Sequence, residues 1–301
     1  MKLAITGGTG FVGSRLVDAA IGAGHSVKAL TRRPQEPRPS LEWVSGSLAD
    51  RGAIEELVDH ADAVIHVAGV INALDAAGFE AGNVTGTLTA LAAATASGVT
   101  RFVHTSSIAA REPQLSLYGA SKAKSETLVE RSGLDWIIVR PPAVYGPGDK
   151  ETLELFKMAK LGIVLLPSKG RLSLIHVDDL ARLLLALADP DTPSGLIIEP
   201  DDGHGGGWSH KELAQALGSA VGRRGISLSV PTGLMKLGAK ADRLLRGDKA
   251  KLTADRAAYF SHPDWVADPA RSPSPKLWQP RIPTSEGLTA TAAWYANRGW
   301  L

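Results

Sequence analysis

The strongest indication of the fold of this chain is the run Thr6-Gly7-Gly8-Thr9-Gly10-Phe11-Val12-Gly13. It follows an aliphatic run at residues 2–6, which is typical of a strand, and it opens a stretch of helical length at residues 11–23. Gly7, Gly10 and Gly13 permit a tight turn, a close approach of backbone to a pyrophosphate, and close packing of the helix on the strand. The helix N-terminus then faces the phosphates. The sequence therefore predicts a dinucleotide-binding turn.

Short aliphatic runs alternate with helical stretches through the first half of the chain, which is the pattern of repeated βαβ units. We expect strands at residues 2–6, 26–30, 41–44, 63–67, 101–105 and 136–139, and helices at 11–23, 51–58, 79–98 and 118–131. The predicted fold class is α/β. It is a Rossmann-type doubly wound parallel sheet with a smaller, interleaved C-terminal substrate-binding region.

The composition of the sequence changes at Pro141, from which point prolines and glycines become frequent. We expect an NAD(P)-binding Rossmann domain over residues 1–165, to which residues 176–199 return as a helix and a strand. Residues 166–301 then form most of the substrate-binding region.

Composition excludes several classes of protein. The chain has 301 residues, with 33 basic and 31 acidic side chains and a net charge of +2, which does not argue for nucleic acid as a partner. It has no cysteine, so disulfides, thiolate nucleophiles and iron–sulfur clusters are excluded. We find no apolar stretch of the ~20 residues that a membrane span needs. The strand at residue 2 leaves no room for a signal peptide, and we expect a cytoplasmic location.

The end of the second predicted strand bears on the choice of dinucleotide. An NAD-selective site carries an acid there, but residues 31–33 are Thr-Arg-Arg, and no acid occurs between Asp18 and Glu36. The guanidinium groups of Arg32 and Arg33 suit a 2′-phosphate, so we predict NADP(H) over NAD(H). The alternative is that both arginines are merely solvated in a loop.

Tyr118 and Lys122 are four residues apart and share one face of a predicted helix. Lowering the pKa of a tyrosine from about 10 to about 7 requires about 4 kcal/mol of preference for the phenolate. One ammonium at ~4 Å supplies about 4 kcal/mol at an effective dielectric constant of ~20. The spacing is therefore suited to a tyrosine that exchanges protons near neutral pH.

Several motifs in matched order give the first two thirds of the chain a family resemblance. Besides the glycine turn they are Ser106-Ser107, Tyr118-x-x-x-Lys122, Asn83-Val84-x-Gly86-Thr87, the Arg-Pro-Pro-x-x-Tyr-Gly-Pro-Gly run at 140–148 and the His-Val-Asp-Asp run at 176–179. Together they resemble the extended or atypical short-chain dehydrogenase/reductases, the NAD(P)-dependent epimerase/dehydratase family, including its dihydroflavonol-reductase-like branch.

The resemblance implies roles for individual residues. Tyr118 would be the general acid or base, Lys122 would orient the nicotinamide ribose, and Ser107 would hold the substrate oxygen, because the family's hydroxyl is usually the last in this cluster. The implied cofactor contacts are Gly7, Thr9, Gly10, Phe11, Val12, Gly13, Arg32, Arg33, Ser47, Leu48, Val67, Ala68, Gly69, Thr105, Tyr118, Lys122, Pro141 and Val144. The expected substrate contacts are Val70, Ile71, Ser107 and Val144.

These residues favour an NADP(H)-dependent oxidoreductase that interconverts a carbonyl and an alcohol on a small to medium, fairly apolar substrate. Ile108-Ala109-Ala110 follow Ser107 where dehydratases usually carry an acid pair, which argues against dehydration. One alternative is a sugar or nucleotide-sugar epimerase. Another is a cofactor-binding scaffold or redox sensor, against which the intact serine, tyrosine and lysine argue. Helices 79–98 and 118–131 could form a homodimer interface, as they do in relatives of this family.

Other motifs have structural interpretations. The run His204-Gly205-Gly206-Gly207 is similar to the oxyanion-hole loop of some esterases, but the sequence has no Gly-x-Ser-x-Gly nucleophile elbow, so we interpret the run as a connector. Ser209 is expected to be the N-cap of a helix at 210–221. Asp178 and Asp179 are expected to begin a helix. No histidine spacing suits zinc, and we expect no metal. The basic stretch 236–256 is expected to be a solvated helix over the substrate pocket. The alternatives are a helix on a membrane surface and a segment that binds an acidic substrate.

Overall fold

The computed structural model describes residues 1–167, 169–231, 233, 234, 237, 247 and 254–301. The chain divides into two compact units, each assembled from three segments. The first unit comprises Met1–Pro141, Val177–Pro200 and Arg271–Gln279, and the second comprises Pro142–His176, Asp201–Ala270 and Pro280–Leu301.

A seven-stranded parallel sheet forms the centre of the first unit. Its strands are β1 (Lys2–Thr6), β2 (Ser26–Thr31), β3 (Leu41–Ser45), β4 (Ala63–His66), β5 (Arg101–Thr105), β6 (Asp135–Val139) and β11 (Leu196–Ile198). Their order across the sheet is β11-β6-β5-β4-β1-β2-β3. The order reverses between β1 and β4, and ligands of doubly wound sheets bind at such a point. The predicted α/β Rossmann-type sheet is confirmed.

Helices flank this sheet. They are α1 (Phe11–Gly22), α2 (Arg51–Val58), α3 (Ala76–Phe79), α4 (Gly86–Ala96), α5 (Leu117–Glu130) and α7 (Val177–Ala186). A continuous apolar core joins the sheet to α2, α4 and α5 and includes Val64, Phe102 and Ile138, all fully buried. Helix α7 packs against α1, where Arg15 and Asp178 form a two-point ion pair with a second bond of 2.7 Å. Asp178 and Asp179 lie in the first turn of α7, as predicted.

The predicted single helix at 79–98 is wrong in detail. Between α3 and α4 the chain forms a π-helix at Glu80–Thr85, whose wider turn inserts an extra residue. Gly82 brings this segment close to Val70, because a Cβ at Gly82 would lie 2.3 Å from a methyl carbon of that valine. The π-helix thereby directs the side chain of Asn83 into the interior, where it is buried.

The second unit consists of small sheets and helices. Its strands are β7 (Ala143–Tyr145), β8 (Ile163–Pro167), β9 (Arg171–Leu172), β10 (Leu174–His176), β12 (Trp208–Ser209), β13 (Ile226–Val230) and β14 (Asp264–Trp265), and its helices are α6 (Leu153–Lys160), α8 (His210–Ala220), α9 (Ala254–Phe260) and α10 (Thr284–Asn297). The sheets are β10-β7, β12-β9-β14 and β13-β8. Ser209 caps α8 in a reciprocal capping box with Glu212, which confirms the predicted cap.

The expected boundary at residue 165 lies inside the second unit, within β8. The second unit begins earlier, at Pro142, and its first strand, β7, pairs with β10. The first unit ends at Pro141, and residues 177–200 return to it through α7 and β11. The interpretation of 236–256 falls mainly on residues outside the described part of the chain. Across the residues that are described, no helix is long and apolar enough to cross a bilayer.

Candidate active site

The glycine turn between β1 and α1 is built almost entirely from backbone. Gly7 has a φ of +74°, and a Cβ there would lie 2.7 Å from the backbone nitrogen of Ala68. A Cβ at Gly13 would lie 2.0 Å from the carbonyl oxygen of Gly7. Gly10, at the N-cap of α1, has no side chain to cap the first turn. This cradle fits a pyrophosphate, because the first-turn N–H groups have no partner within the helix.

The end of β2 carries the two predicted phosphate-binding arginines. Arg32 and Arg33 are exposed, and the hydroxyl of Thr31 fixes the turn by donating to the Arg33 carbonyl over 2.6 Å. Beside the glycine turn lies a cavity of about 240 Å³. It is lined by Gly8, Thr9, Ser14, Val17, Gln35, Glu36, Arg38 and Trp43.

Among the described residues that line this cavity, Thr9 was a predicted cofactor contact, whereas Arg38, Trp43 and Glu36 were not. Arg38 brings a further guanidinium to it and is held by Asp18 through a 2.7 Å ion pair. Trp43 supplies an indole whose nitrogen donates to the carbonyl of Glu36 over 3.2 Å. Glu36 places a carboxylate in the same cavity, which opposes a phosphate. A third basic residue shortly after Arg33 was the signal available in the sequence.

The predicted contacts after β3 and β4 lie close to the same edge of the sheet. Ser47 accepts a hydrogen bond from Ala49 N–H, and Leu48 packs against α4, where a Cβ at Gly86 would lie 2.6 Å from it. After β4, Val67, Ala68 and Gly69 form a loop. A Cβ at Gly69 would lie 3.1 Å from the Nζ atom of Lys122. The structure therefore brings this loop beside the predicted catalytic lysine.

The two serines that follow β5 have different environments. Ser106 donates a 2.5 Å hydrogen bond to the Glu126 carboxylate. Ser107 instead accepts a bond of 3.2 Å from Ala109 N–H and begins a 3₁₀-helix at Ile108–Arg111. The hydroxyl hydrogen of Ser106 is thus committed to a carboxylate, whereas Ser107 uses its oxygen as an acceptor.

Glu126 belongs to a buried charge cluster that sequence reasoning missed. Arg140, after β6, binds Glu126 through two bonds of 2.9 and 2.7 Å and contacts Glu199 at 3.4 Å. Arg111 contacts the other oxygen of Glu199 at 3.1 Å. Two guanidinium groups therefore balance two buried carboxylates, which is the condition under which charges are tolerated in an interior. The cluster connects α5 to the ends of β5, β6 and β11.

Tyr118 and Lys122 lie on α5, which is capped by the Ser116 side chain. Tyr118 is half-buried, with its ring centroid 6.1 Å from that of Phe79. Lys122 is only 4% exposed and donates from Nζ to the carbonyl oxygen of Thr105 over 2.9 Å. Burial lowers the pKa of Lys122 to about 8, and the charge of Glu126 acts in the opposite direction.

A hydrogen-bond chain runs beneath this site through His66, at the end of β4. The Thr87 hydroxyl donates to the Asn83 carbonyl, so we assign the hydrogen on His66 Nε2 as the donor to Thr87 over 3.1 Å. Nδ1 of His66 then accepts from Thr6 over 2.8 Å, and Thr6 in turn accepts from Ala68 N–H. One neutral tautomer of His66 satisfies every member of the chain.

The side chain of Asn83 extends this chain to α5. It exchanges two hydrogen bonds with the backbone of Val70, accepting over 2.6 Å and donating over 2.9 Å. Its Nδ2 also donates to Ser121 over 2.9 Å, and Ser121 donates to the carbonyl of Tyr118. The glycine turn, the loop after β4 and the helix that carries Tyr118 are therefore joined by directional bonds.

His104 lies beside His66 on the neighbouring strand, with ring centroids 5.5 Å apart. Burial, and then the charge of Lys122, lower the pKa of His66 to about 3 and that of His104 well below its usual value. Both imidazoles are therefore neutral at neutral pH. Of the three buried side chains His66, His104 and Lys122, Lys122 therefore carries the positive charge.

The expected substrate contacts divide between the two units. In the first unit, Val70 is half-buried and Ile71 is exposed, and the unpredicted Leu74 of the same loop is exposed as well. Pro141 ends the first unit and accepts from Ile108 N–H. Val144 belongs to the second unit, in β7, where it pairs with Ile175 of β10. Within the described residues, no group of three histidine or carboxylate side chains is placed to hold a metal ion.

Comparison with known proteins identifies the family. Residues 3–198 match the NAD dependent epimerase/dehydratase family. The chain is 36% identical to the ceramide reductase of Caulobacter vibrioides, over 99% of this chain and 96% of that protein. It is 30% identical to the 2-alkyl-3-oxoalkanoate reductase of Stenotrophomonas maltophilia, over 96% and 97% of the two chains. This chain belongs to the NAD-dependent epimerase/dehydratase family.

Solved structures agree with this fold. The Bordetella bronchiseptica enzyme WbmG in complex with NAD superposes with a TM-score of 0.77 at 22% identity, covering 100% of this chain and 95% of that one. The predicted membership of the extended short-chain dehydrogenase/reductases is confirmed, and the chain is an NAD(P)-dependent oxidoreductase of that type.

Proposed function

We propose that this enzyme uses NADP(H) to reduce a ketone or aldehyde on an apolar, alkyl-bearing substrate. The observation that carries this proposal is the position of Tyr118 on α5, one helical turn before the buried ammonium of Lys122, in a unit that also forms a cradle for a dinucleotide. The reverse oxidation of the alcohol uses the same groups. The substrate-recognition role expected for the C-terminal region is assigned to the second unit.

The proposed mechanism assigns roles to Ser107, Tyr118 and Lys122. When bound, the reduced nicotinamide supplies the hydride that adds to the carbonyl carbon. Ser107 donates a hydrogen bond to the carbonyl oxygen, and Tyr118 delivers its phenolic proton to that oxygen as negative charge develops there. Lys122 stabilises the resulting phenolate and binds the ribose hydroxyls. A proton from water restores the phenol.

Three features support Ser107, Tyr118 and Lys122 in these roles. The hydroxyl hydrogen of Ser106 is directed to Glu126, which leaves Ser107 as the serine that can donate to a ligand. The buried Lys122 is fixed by the Thr105 carbonyl. Because His66 and His104 are neutral, neither imidazole adds a positive charge that would compete with the Lys122 ammonium.

The preference for NADP(H) is supported by positive charge near the end of β2. Arg32 and Arg33 are exposed and follow the strand directly, and Arg38 lies in the cavity beside the glycine turn. Arginine binds phosphate through a planar fork and keeps its charge. Because Arg38 is paired with Asp18 and shares the cavity with Glu36, we assign the main phosphate contact to Arg32 and Arg33.

The substrate class is supported by the relatives and by the loop after β4. Two relatives that match over nearly the whole chain are named as reductases of a ceramide and of a 2-alkyl-3-oxoalkanoate. In this chain Ile71 and Leu74 are exposed in the loop that carries Val70. Aliphatic side chains exposed beside a candidate site favour a substrate with alkyl groups.

The test is a substrate screen that follows the loss of NADPH absorbance. It uses 2-alkyl-3-oxo esters, N-acyl amino ketones of increasing chain length, and short ketones and aldehydes, each with NADPH and with NADH. We expect consumption of NADPH that rises with alkyl length. Epimerisation of a UDP-sugar without net loss of cofactor absorbance, and no reduction of any ketone or aldehyde, would contradict the proposal and establish the epimerase alternative.

A further inference from the structure

One face of the β8–β13 sheet in the second unit exposes aliphatic side chains. They are Ile163 (42% exposed), Leu165 (50%), Ile226 (52%) and Leu228 (46%). Together with Leu161 (84%), the C-cap residue of α6, two residues before β8, we call them the aliphatic face. We infer that the aliphatic face docks the protein on the surface of an anionic lipid bilayer. Contiguous exposed aliphatic side chains of this kind mark interaction surfaces.

The register of the two strands makes this face continuous. Ile163 pairs with Ile226 and Leu165 pairs with Leu228 in parallel register, so these four side chains stand side by side on the same surface. The opposite face of β8 packs into the unit, where Val164 is fully buried in the core cluster that contains Phe156. Among the described residues, core side chains cover one face of β8, whereas the aliphatic side chains on the other face are exposed.

The sequence of β13 shows that the exposed aliphatic side chains are not a by-product of packing. Residues 226–230 read Ile-Ser-Leu-Ser-Val, an alternation that ordinarily turns its apolar set toward the core. Here Ile226 and Leu228 are exposed, and the serines that alternate with them are half-buried (Ser227) and exposed (Ser229). A register shift of one residue would reverse the two sets, so the observed register keeps aliphatic groups available to an apolar partner.

Basic side chains border the aliphatic face at one end. Lys160 ends α6 and precedes Leu161, and Arg223 and Arg224 precede β13. The Ile226 N–H donates to the carbonyl of Gly162 over 3.0 Å, so the two strands begin side by side. All three cations are exposed, and none forms an ion pair with another described residue.

This combination of groups selects the partner. Aliphatic side chains enter the boundary between headgroups and acyl chains, while neighbouring cations remain among anionic headgroups. A second copy of this chain that docked through the same face with its strands running in the same direction would bring like charges together across the two-fold axis. A bilayer with negative lipids matches both the apolar groups and the charge, and surface docking requires no spanning helix.

The inference is tested by flotation of the full chain with lipid vesicles. One set contains equal parts of phosphatidylglycerol and phosphatidylcholine, and the other contains phosphatidylcholine alone. We expect the protein to float with the anionic vesicles and to remain at the bottom of the gradient with the neutral ones. High salt should weaken the binding, because it screens the contribution of the cations. Failure to float with anionic vesicles at low salt would overturn the inference.

Variants separate the two components of the surface. Leu165→Ser combined with Leu228→Ser, and Arg223→Glu combined with Arg224→Glu, should each weaken binding to anionic vesicles by about tenfold or more. Leu88→Ser is the matched control, since Leu88 is 52% exposed on α4 of the first unit, and it should bind like the original protein. Binding that survives the leucine double variant would place the contact elsewhere and contradict the inference.

The remaining outcomes are also decisive. Sedimentation velocity without lipid should give the same oligomeric state for the original protein and the leucine double variant. If the original protein is a dimer that the leucine double variant dissociates, the aliphatic face is an interface with a second copy. If the Tm of the leucine double variant falls by a large amount, the aliphatic face belongs to the chain's own interior. Vesicle binding needs no turnover, so its failure is separable from failure of the reductase proposal, which the NADPH screen measures.

Discussion

The Nζ atom of Lys122 donates a hydrogen bond to the carbonyl oxygen of Thr105 over 2.9 Å. This bond fixes the ammonium at the end of β5, one residue before the serine pair. Because Lys122 is buried, its charge is held in a medium that stabilises it poorly, and its pKa falls to about 8. The proposed mechanism uses that charge to favour the phenolate of Tyr118.

The low pKa of Lys122 predicts a dependence of stability on pH. The unfolded chain binds its lysine proton up to about pH 10.5, whereas the folded chain releases it above about 8, so stability rises with pH across this window. Below pH 8 the buried, charged lysine lowers the free energy of unfolding by its full amount, about 3 kcal/mol. Lys122→Met removes this contribution, and its free energy of unfolding relative to the original protein should fall as pH rises from 8 to 10.5.

Urea unfolding at several pH values measures this difference. Val129→Ala is the control, since it removes buried apolar groups from the same helix without changing a titratable group. The free energy of unfolding of Val129→Ala should differ from that of the original protein by the same amount at every pH. A Lys122→Met difference that is also constant would show that the ammonium titrates alike in both states, contrary to the burial argument.

The serine pair predicts a separation of stability from catalysis. Ser107→Ala should lower kcat by about a hundredfold, because the substrate oxygen loses a hydrogen-bond donor, and should cost only about 1 kcal/mol of stability, because Ala109 N–H loses its side-chain acceptor. Ser106→Ala should cost about 2 kcal/mol of stability, because the buried carboxylate of Glu126 loses a charge-assisted bond, with little effect on kcat. Steady-state kinetics and thermal unfolding of both variants test the assignment. The reverse pattern would assign the substrate contact to Ser106.

Cofactor preference predicts an effect confined to one dinucleotide. Arg32→Ala should weaken NADPH binding by about tenfold or more, since a charge-assisted bond to phosphate contributes about 1.5–3 kcal/mol, and should leave NADH binding nearly unchanged. Arg38→Ala should have a smaller effect, because Arg38 is already paired with Asp18. Fluorescence titration measures the dissociation constants, with Arg131→Ala as a control at the end of α5. Equal losses for NADPH and NADH would contradict the 2′-phosphate assignment.

The neutral His66 predicts sensitivity to acid. Its pKa is about 3 in the folded chain and about 6.5 in the unfolded chain, so the unfolded state binds more protons between these values and stability falls as pH decreases from 6.5. One such histidine contributes up to about 1.4 kcal/mol per pH unit. His66→Leu should be less stable at pH 7, because Thr6 and Thr87 lose their partner, but its stability should decline less steeply between pH 6.5 and 5.

Denaturant unfolding at several pH values between 5 and 6.5 measures how steeply the free energy of unfolding changes with pH. Ile65→Ala is the control, because it destabilises the same strand through a buried apolar side chain and adds no titration. It should retain the slope of the original protein. A slope for His66→Leu equal to that of the control would refute the neutral-histidine interpretation.

The parts of the fold that local patterns determine were predictable. The strands at 2–6 and 101–105 and the helix at 51–58 have the bounds that apolar runs and turn residues indicate. The capping of α8 by Ser209 follows from a serine three residues before Glu212. The spacing of Tyr118 and Lys122 needs only the period of a helix. Such features involve residues that are close in the chain.

The features that were missed join distant residues. His66 and His104 become neighbours only through the register of β4 and β5, and the charge cluster of Glu126, Arg140 and Glu199 needs three elements to meet. The π-helix around Asn83 depends on contacts with the loop after β4. The outward register of β13 opposes its own alternation pattern. None of these relations is encoded in a local period.

The role of Tyr118 as proton donor can be measured through the kinetics and cofactor binding of Tyr118→Phe, with Tyr259→Phe as a control in the second unit. We predict that Tyr118→Phe binds NADPH within about twofold of the original protein and lowers kcat for ketone reduction by about a hundredfold or more, because only the proton donor is removed. Turnover by Tyr118→Phe equal to that of the original protein would contradict the account.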